Sequence, residues 1–262
     1  MTRWIELEGV VNMRDLGGLP TRAGRRTREG QLLRSDNLQD LTAKDVRHLI
    51  DGLGVTDVID LRTNTERDLT GPGPLTATPL AHHHLSFIVE DDVPAANDRR
   101  RADTGRDALL LSGDGGDRGS AGFWTRHYLG YLHQRPDSVA GALEVIAGSR
   151  GGAVVHCAAG KDRTGTVTAM ALSVAGVPDE EIIADYAASA ERIRQIIDRL
   201  INVEPYKWGL EGRSIEEQTP QPETMEVILR TLDDEFGGAT GWLREQGWDD
   251  ERLDRLRDRL SE

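Results

Sequence analysis

Cysteine is almost absent from this chain of 262 residues: Cys157 stands alone. An internal disulfide framework is therefore excluded, and a single unpaired thiol fits a reducing compartment. Basic charge is also in short supply, with 32 Lys and Arg against 45 Asp and Glu and a net charge of -13. That balance argues against nucleic acid or an anionic membrane surface as the main partner, although a local basic pocket is compatible with it. No apolar run reaches membrane-spanning length, and Met1-Thr2-Arg3-Trp4-Ile5-Glu6 lacks an apolar signal core. The expected location is the cytoplasm, with export by a system that reads no N-terminal signal left open. Internal repeats are missing too. The length suffices for one large core, read as one domain over 1–262.

What is present centres on residues 152–166. The β-branched run Ala153-Val154-Val155 leads into His156 and Cys157, and small residues then turn into an Ala- and Val-rich helical segment. The pattern is strand, loop and helix, with a nucleophile at the bottom of the loop. Backbone N–H groups of Ala158, Ala159, Gly160 and Lys161, together with a helix N-terminus, favour a phosphate-sized anion. Arg163 can fold back and grip two phosphate oxygens, and Gly160 permits a tight loop. The same donors stabilise a thiolate, so Cys157 is expected to have a depressed pKa and to act as the nucleophile. The Thr164 hydroxyl comes directly after the arginine and can stabilise the sulfur as a leaving group.

His156-Cys157-x5-Arg163-Thr164-Gly165 resembles the signature of the cysteine-dependent protein tyrosine phosphatases, and the fuller His-Cys-Ala-Ala-Gly-Lys-Asp-Arg-Thr-Gly is similar to their bacterial branch. The resemblance implies an α/β fold with a central, mostly parallel sheet flanked by helices, carrying a helical lid or C-terminal elaboration. It implies a phosphomonoester hydrolase working through phosphocysteine, most simply a protein tyrosine phosphatase of broad specificity, with no cofactor and no metal. His82-His83-His84 lies on a strand where only alternate residues share a face, no cysteine or clear third ligand is near, and a polar strand segment is the preferred reading.

Other segments take their places around that loop. Asn12-Met13-Arg14-Asp15-Leu16-Gly17-Gly18 is read as a turn fixed by an Arg14–Asp15 ion pair, with support of the phosphate loop as the sharper alternative. Thr42-Ala43-Lys44-Asp45 has capping-box form and opens a helix that Gly54 should end. Residues 55–61 read as a buried parallel strand delivering Arg62 to the ligand-binding edge, where Arg62 either contacts substrate or pairs with Glu66. Residues 80–89 read as another strand. A charged, Gly-rich stretch over 90–120 is read as a mobile insertion leading to a cover over the site. Helices are expected near 120–134, 137–149 and up to 175, followed by a helical elaboration over 178–262 packed by Trp242 and Trp248.

Breaking a phosphate ester requires an acid for the leaving oxygen. The tryptophan-proline-aspartate segment of eukaryotic tyrosine phosphatases is absent, so the candidates are Asp162, which could equally cap the helix, and Glu90, Asp91 or Asp92, of which Asp91 is chosen. Lys161 adds charge where a second phosphate could sit, as in phosphoinositide phosphatases, but Ala158 stands where those enzymes carry another basic residue. Phosphotyrosyl protein or another phosphate monoester is the expected partner. A phosphoinositide or inositol phosphate phosphatase and a non-catalytic phosphoprotein-binding module are the alternatives.

Overall fold

The computed structural model describes residues 2–90 and 121–262. Six strands form one sheet: β1 (Arg3–Trp4), β2 (Arg14–Asp15), β3 (Leu32–Ser35), β4 (Val55–Asp60), β5 (Ala81–His84) and β6 (Gly152–His156), ordered β1-β2-β3-β6-β4-β5. The first two joins are antiparallel, and the remaining joins, β3 to β6, β6 to β4 and β4 to β5, are parallel. Parallel strands need helical crossovers that cover both faces, which is why β6 is buried at every position, with an apolar middle, rather than alternating. Its side chains still divide by face. Ala153 and Val155 enter the larger core and Val154 the smaller one.

The register brings Ser35, His156 and Asp60 side by side at the C-terminal ends of β3, β6 and β4. The residues next along the chain therefore meet at one edge: Asp36 and Asn37 after β3, Cys157 after β6, and Leu61 and Arg62 after β4. Sequence positions more than a hundred residues apart become neighbours in this way.

Helices α1 (Ala43–Arg47) and α2 (Asn64–Thr70) cover the early half of the chain. α1 opens with the expected Thr42/Asp45 capping box, and Asp45 also accepts from the Glu8 and Gly9 N–H groups, tying the N-terminal segment down. The helix continues as a π-turn over His48–Gly52 before Gly54, in left-handed conformation at φ 64°, ends it. β5 is shorter than the expected 80–89. A turn in which the Ser86 hydroxyl donates to Ile88 O bends the chain off the sheet edge.

From residue 121 onward come α3 (Ala121–Gln134), α4 (Pro136–Gly148), α5 (Asp162–Val174), α6 (Asp179–Ala188), α7 (Ile193–Leu200), α8 (Lys207–Leu210), α9 (Ile215–Gln218), α10 (Pro222–Phe236), α11 (Gly238–Glu245) and α12 (Asp250–Leu260). α5 is buried along nearly its whole length, so no polar face is required of it and its run of Thr, Ala, Val and Met suits the position. Met225, Ile228, Leu232, Trp242 and Leu256 from the C-terminal helices, and Trp248 from the connection between the last two, enter the same apolar cluster as Val155 and Ile59 of the sheet.

Candidate active site

β6 carries Cys157 to the sheet edge, where it lies 2 % exposed, and the chain turns over Ala158, Ala159, Gly160 and Lys161 into α5. Gly160 has a positive φ of 66°, and a Cβ there would stand 2.4 Å from Ser35 O. The loop thus presses against the end of β3 as closely as a backbone without a side chain allows. Cys157 lines a narrow cleft with Ala158, Ala159, Lys161, Asp162 and Arg163. Its walls are Trp124, His127 and Tyr131 from α3, and Ile193, Ile196, Ile197 and Leu200 from α7.

Arg163 lines the cleft with Cys157, and what holds it is Glu66. The two guanidinium nitrogens donate to the two carboxylate oxygens at 2.6 and 2.8 Å, and NH1 also reaches Leu61 O at 3.3 Å. Both side chains are almost fully buried. Burial alone would pull the Arg163 pKa down; the Glu66 carboxylate more than reverses this, helped by its hydrogen bonds and by Cys157, so the value lies well above the ordinary one. Glu66 is itself fixed as the third residue of α2, accepting from Thr63 N–H in a capping box.

Arg62 therefore does not pair with Glu66. Its Nε and NH2 donate to Asp60 at 2.9 and 2.6 Å, and NH1 donates to Asn37 Oδ1 and Thr70 Oγ1. A carboxylate two residues back on an extended chain lies on the same side, whereas Glu66 has been drawn away by Arg163. Arg62 lines a separate hollow with His82, His84 and His156, outside the Cys157 cleft. The Arg14–Asp15 ion pair is likewise not made: neighbours on a strand face opposite ways. Asp15 accepts from the Gly17 and Gly30 N–H groups, while Arg14 Nε donates to Asp185 at 2.7 Å behind the phosphate loop.

Lys161 is 3 % exposed and does not project from the loop mouth. Its ammonium donates to Gln218 O at 2.7 Å, lies 3.5 Å from Asp162 Oδ1 and sits 4.6 Å from the centre of the Trp124 ring. Asp162 is the first residue of α5 and leaves the helix's own N–H groups uncapped. It accepts instead from the Tyr128 hydroxyl, which also contacts the Tyr186 hydroxyl at 2.9 Å. Thr164 Oγ1 is buried with no hydrogen-bond partner among the described residues. Glu90 is committed elsewhere, accepting from the Asn64 and Thr65 N–H groups at the start of α2. Asp91, Asp92 and the rest of the expected cover lie outside the described residues. Each of His82, His83 and His84 has a ring nitrogen on an oxygen of its own chain, at Leu75, Asp57 and Arg62 respectively.

Two histidines, His156 buried and His127 half-buried, flank the site. Burial pulls the His156 pKa down to about 4, against Asp60, which pulls it up from 3.7 Å away. Burial, then Arg163 and Lys161, hold His127 well below 6.5. Both are neutral in the folded protein where the unfolded chain takes up protons. Their contribution to stability is complete above pH 6.5 and is lost as pH falls towards the folded values. For His156 the gap between 6.5 and about 4 amounts to about 3 kcal/mol. The melting temperature should accordingly drop between pH 7 and 4.5, and His156→Gln should flatten that slope by close to one proton. A wild-type melting temperature that is constant across this range is the contrary result.

Sequence reasoning did not place Glu66 on Arg163, nor bring Trp124, His127, Tyr128 and Tyr131 to the site. Thr63-x-x-Glu66 is itself a capping-box pattern and marks Glu66 as fixed in space. The aromatic set repeats at helical spacing, which gives a face but not what it faces.

A profile of the tyrosine phosphatase family matches residues 5–262. The triple specificity protein phosphatase PtpB of Mycobacterium tuberculosis is 28 % identical over 285 aligned positions, covering 96 % of this chain and 97 % of that protein. A tyrosine-protein phosphatase of Nostoc commune is 30 % identical over 144 positions, covering 52 % of this chain and 48 % of its own length. Among solved structures, the core catalytic domain of the PP-IP phosphatase SIW14 from S. cerevisiae aligns over 91 % of this chain and 98 % of its own, at 13 % identity and a TM-score of 0.39, too low to bear on function. The full-length profile match, with the Cys157 loop and its buried arginine at the end of a parallel strand, assigns this chain to the tyrosine phosphatase family.

Proposed function

We propose that the chain hydrolyses phosphotyrosyl proteins and related aryl phosphate monoesters through a phosphocysteine intermediate. Cys157 Sγ attacks phosphorus and the bond to the leaving oxygen breaks, while the loop N–H groups and Arg163 hold the three non-bridging oxygens. The leaving oxygen takes its proton from Asp91. Water then attacks phosphorus, its proton passes to Asp162 and from there through solvent back to Asp91, the S–P bond breaks and phosphate departs. Asp162 accepts from the Tyr128 hydroxyl and lies 3.5 Å from the Lys161 ammonium, contacts that fix its place in the cleft. The Thr164 hydroxyl, without a partner among the described residues, supports the departing thiolate. Ala158, Ala159, Gly160 and Lys161 supply loop backbone; Arg62, held on Asp60, braces the neighbouring strand end rather than touching substrate. The cytoplasm is the compartment that best suits the unpaired thiol.

The observation that carries the single-phosphate reading is the state of the two cations in the cleft. Arg163 is held by Glu66, and Lys161 by Gln218 O and the Trp124 face, while the opposite wall is isoleucine and leucine. An aromatic ring fits that wall; a second phosphate would have to pull Lys161 off its partners and bury charge against apolar surface. On equal footing, kcat/KM for a phosphotyrosyl peptide should exceed that for a polyphosphorylated phosphoinositide by roughly 10–100-fold. Faster turnover of the phosphoinositide would overturn this, and phosphopeptide binding without turnover would favour a non-catalytic module.

A further inference from the structure

Four consecutive carbonyls of the phosphate loop are claimed from the side away from the cleft. Ala158 O accepts from Asn37 N–H at 3.0 Å, and Ala159 O from the Asn12 side-chain amide at 2.9 Å. Gly160 O accepts from Asn12 at 3.2 Å and from Arg34 NH2 at 2.7 Å, and the same Arg34 nitrogen reaches Lys161 O at 3.4 Å. In a planar trans peptide the C=O of one residue and the N–H of the next point in opposite directions. Fixing those four carbonyls outward therefore aims the N–H groups of Ala159, Gly160, Lys161 and Asp162 inward, over Cys157.

Asn12 and Arg34 are fully buried and are themselves held. Asn12 Oδ1 accepts from Arg14 NH1 at 2.7 Å, and Arg34 NH1 donates to Asp185 at 2.5 Å and to Thr168 Oγ1 at 3.3 Å. Asp185 from α6 takes Arg14 on one carboxylate oxygen and Arg34 on the other. Two guanidinium groups and one carboxylate form a brace behind the loop. Building the donors in advance removes the cost of ordering them at each turnover.

We infer that Asn12 and Arg34 are positioning residues for the phosphate loop, turning its carbonyls out so that four N–H groups form the oxyanion cradle, with Asp185 holding Arg34 and Arg14 in place. The inference rests on the reading of this loop as a phosphate cradle. Asn12→Asp puts a carboxylate against two carbonyl oxygens at nearly unchanged shape, and Arg34→Met removes the second clamp. Binding of tungstate, a phosphate-shaped oxyanion, should be measured by calorimetry on the full chain, together with p-nitrophenyl phosphate kinetics and melting temperature. Each variant should weaken tungstate binding and lower kcat/KM by matching factors of roughly 10–100-fold. Arg34→Lys, which keeps one donor, should recover part of the loss. Leu232→Ala on α10, a core truncation away from the loop, should lower the melting temperature while leaving tungstate affinity within about two-fold.

Wild-type tungstate affinity in Asn12→Asp would overturn the inference, as would an equal loss in Leu232→Ala, which would trace the effect to stability. Should Arg34→Met not fold, Asn12→Asp decides alone; should that also fail, Asn12→Ser decides by the same criterion. A wild-type protein that binds no tungstate would instead refute the cradle itself.

Discussion

Cys157→Ser should reduce kcat on a phosphotyrosyl peptide by roughly 10⁴-fold or more, while KM and the melting temperature scarcely move. The oxygen of serine is not ionised at neutral pH and is a far poorer nucleophile towards phosphorus. The rest of the cradle is untouched, because Arg163 is held by Glu66 and not by the sulfur, and the loop carbonyls are held by Asn12, Arg34 and Asn37. Serine is smaller than cysteine, so a site that is 2 % exposed accepts it without overpacking. The check has two parts. Steady-state rates give the loss, and rapid quenching with radiolabelled substrate should trap a phosphoenzyme in the wild type and none in the variant. Turnover within ten-fold of wild type would mean that the nucleophile lies elsewhere.

Much of this site is legible in the residues from His156 to Gly165, because the chemistry there is local. A nucleophile, an arginine and a helix start set a few positions apart bring each other to one point without help from the rest of the chain. The partners of those groups come from far away in sequence and obey another logic. Glu66 reaches Arg163 because β4 and β6 are parallel and end together. Asn12 and Arg34 reach the loop because β2, β3 and β6 are consecutive in the sheet. Strand order and register arise from the whole core, so a short-range reading pairs Arg62 with Glu66 and Arg14 with Asp15, the nearest opposite charges, and both pairings fail. Lys161 is a related case: its sequence position places it at the loop mouth, while the Gln218 carbonyl and the Trp124 ring, each set by other helices, decide where its charge lies. Thr63-x-x-Glu66 is the exception, a local pattern that fixes a residue used at long range.

The second large effect concerns that residue. Arg163→Lys should cost roughly 10³-fold in kcat/KM, since an ammonium cannot make the paired contacts of a planar guanidinium to phosphate and to Glu66 at once. Glu66→Gln should cost less in rate and more in stability. The amide is close to the carboxylate in shape but carries no charge, and its NH2 group faces a guanidinium that can only donate. A buried cation left without its partner destabilises by roughly 3–5 kcal/mol, which for a chain of this length lowers the melting temperature by about 6–20 °C. A bound phosphate dianion brings the missing negative charge to the same guanidinium. Inorganic phosphate should therefore raise the melting temperature of Glu66→Gln by more than it raises that of the wild type. Calorimetric scans of both proteins across a phosphate series measure this directly. Equal shifts would show that Arg163 does not face the anion, and Arg163→Lys activity within ten-fold of wild type would show the same by rate. The larger shift in the variant would mean that Glu66 holds in the resting enzyme the charge that substrate meets on arrival.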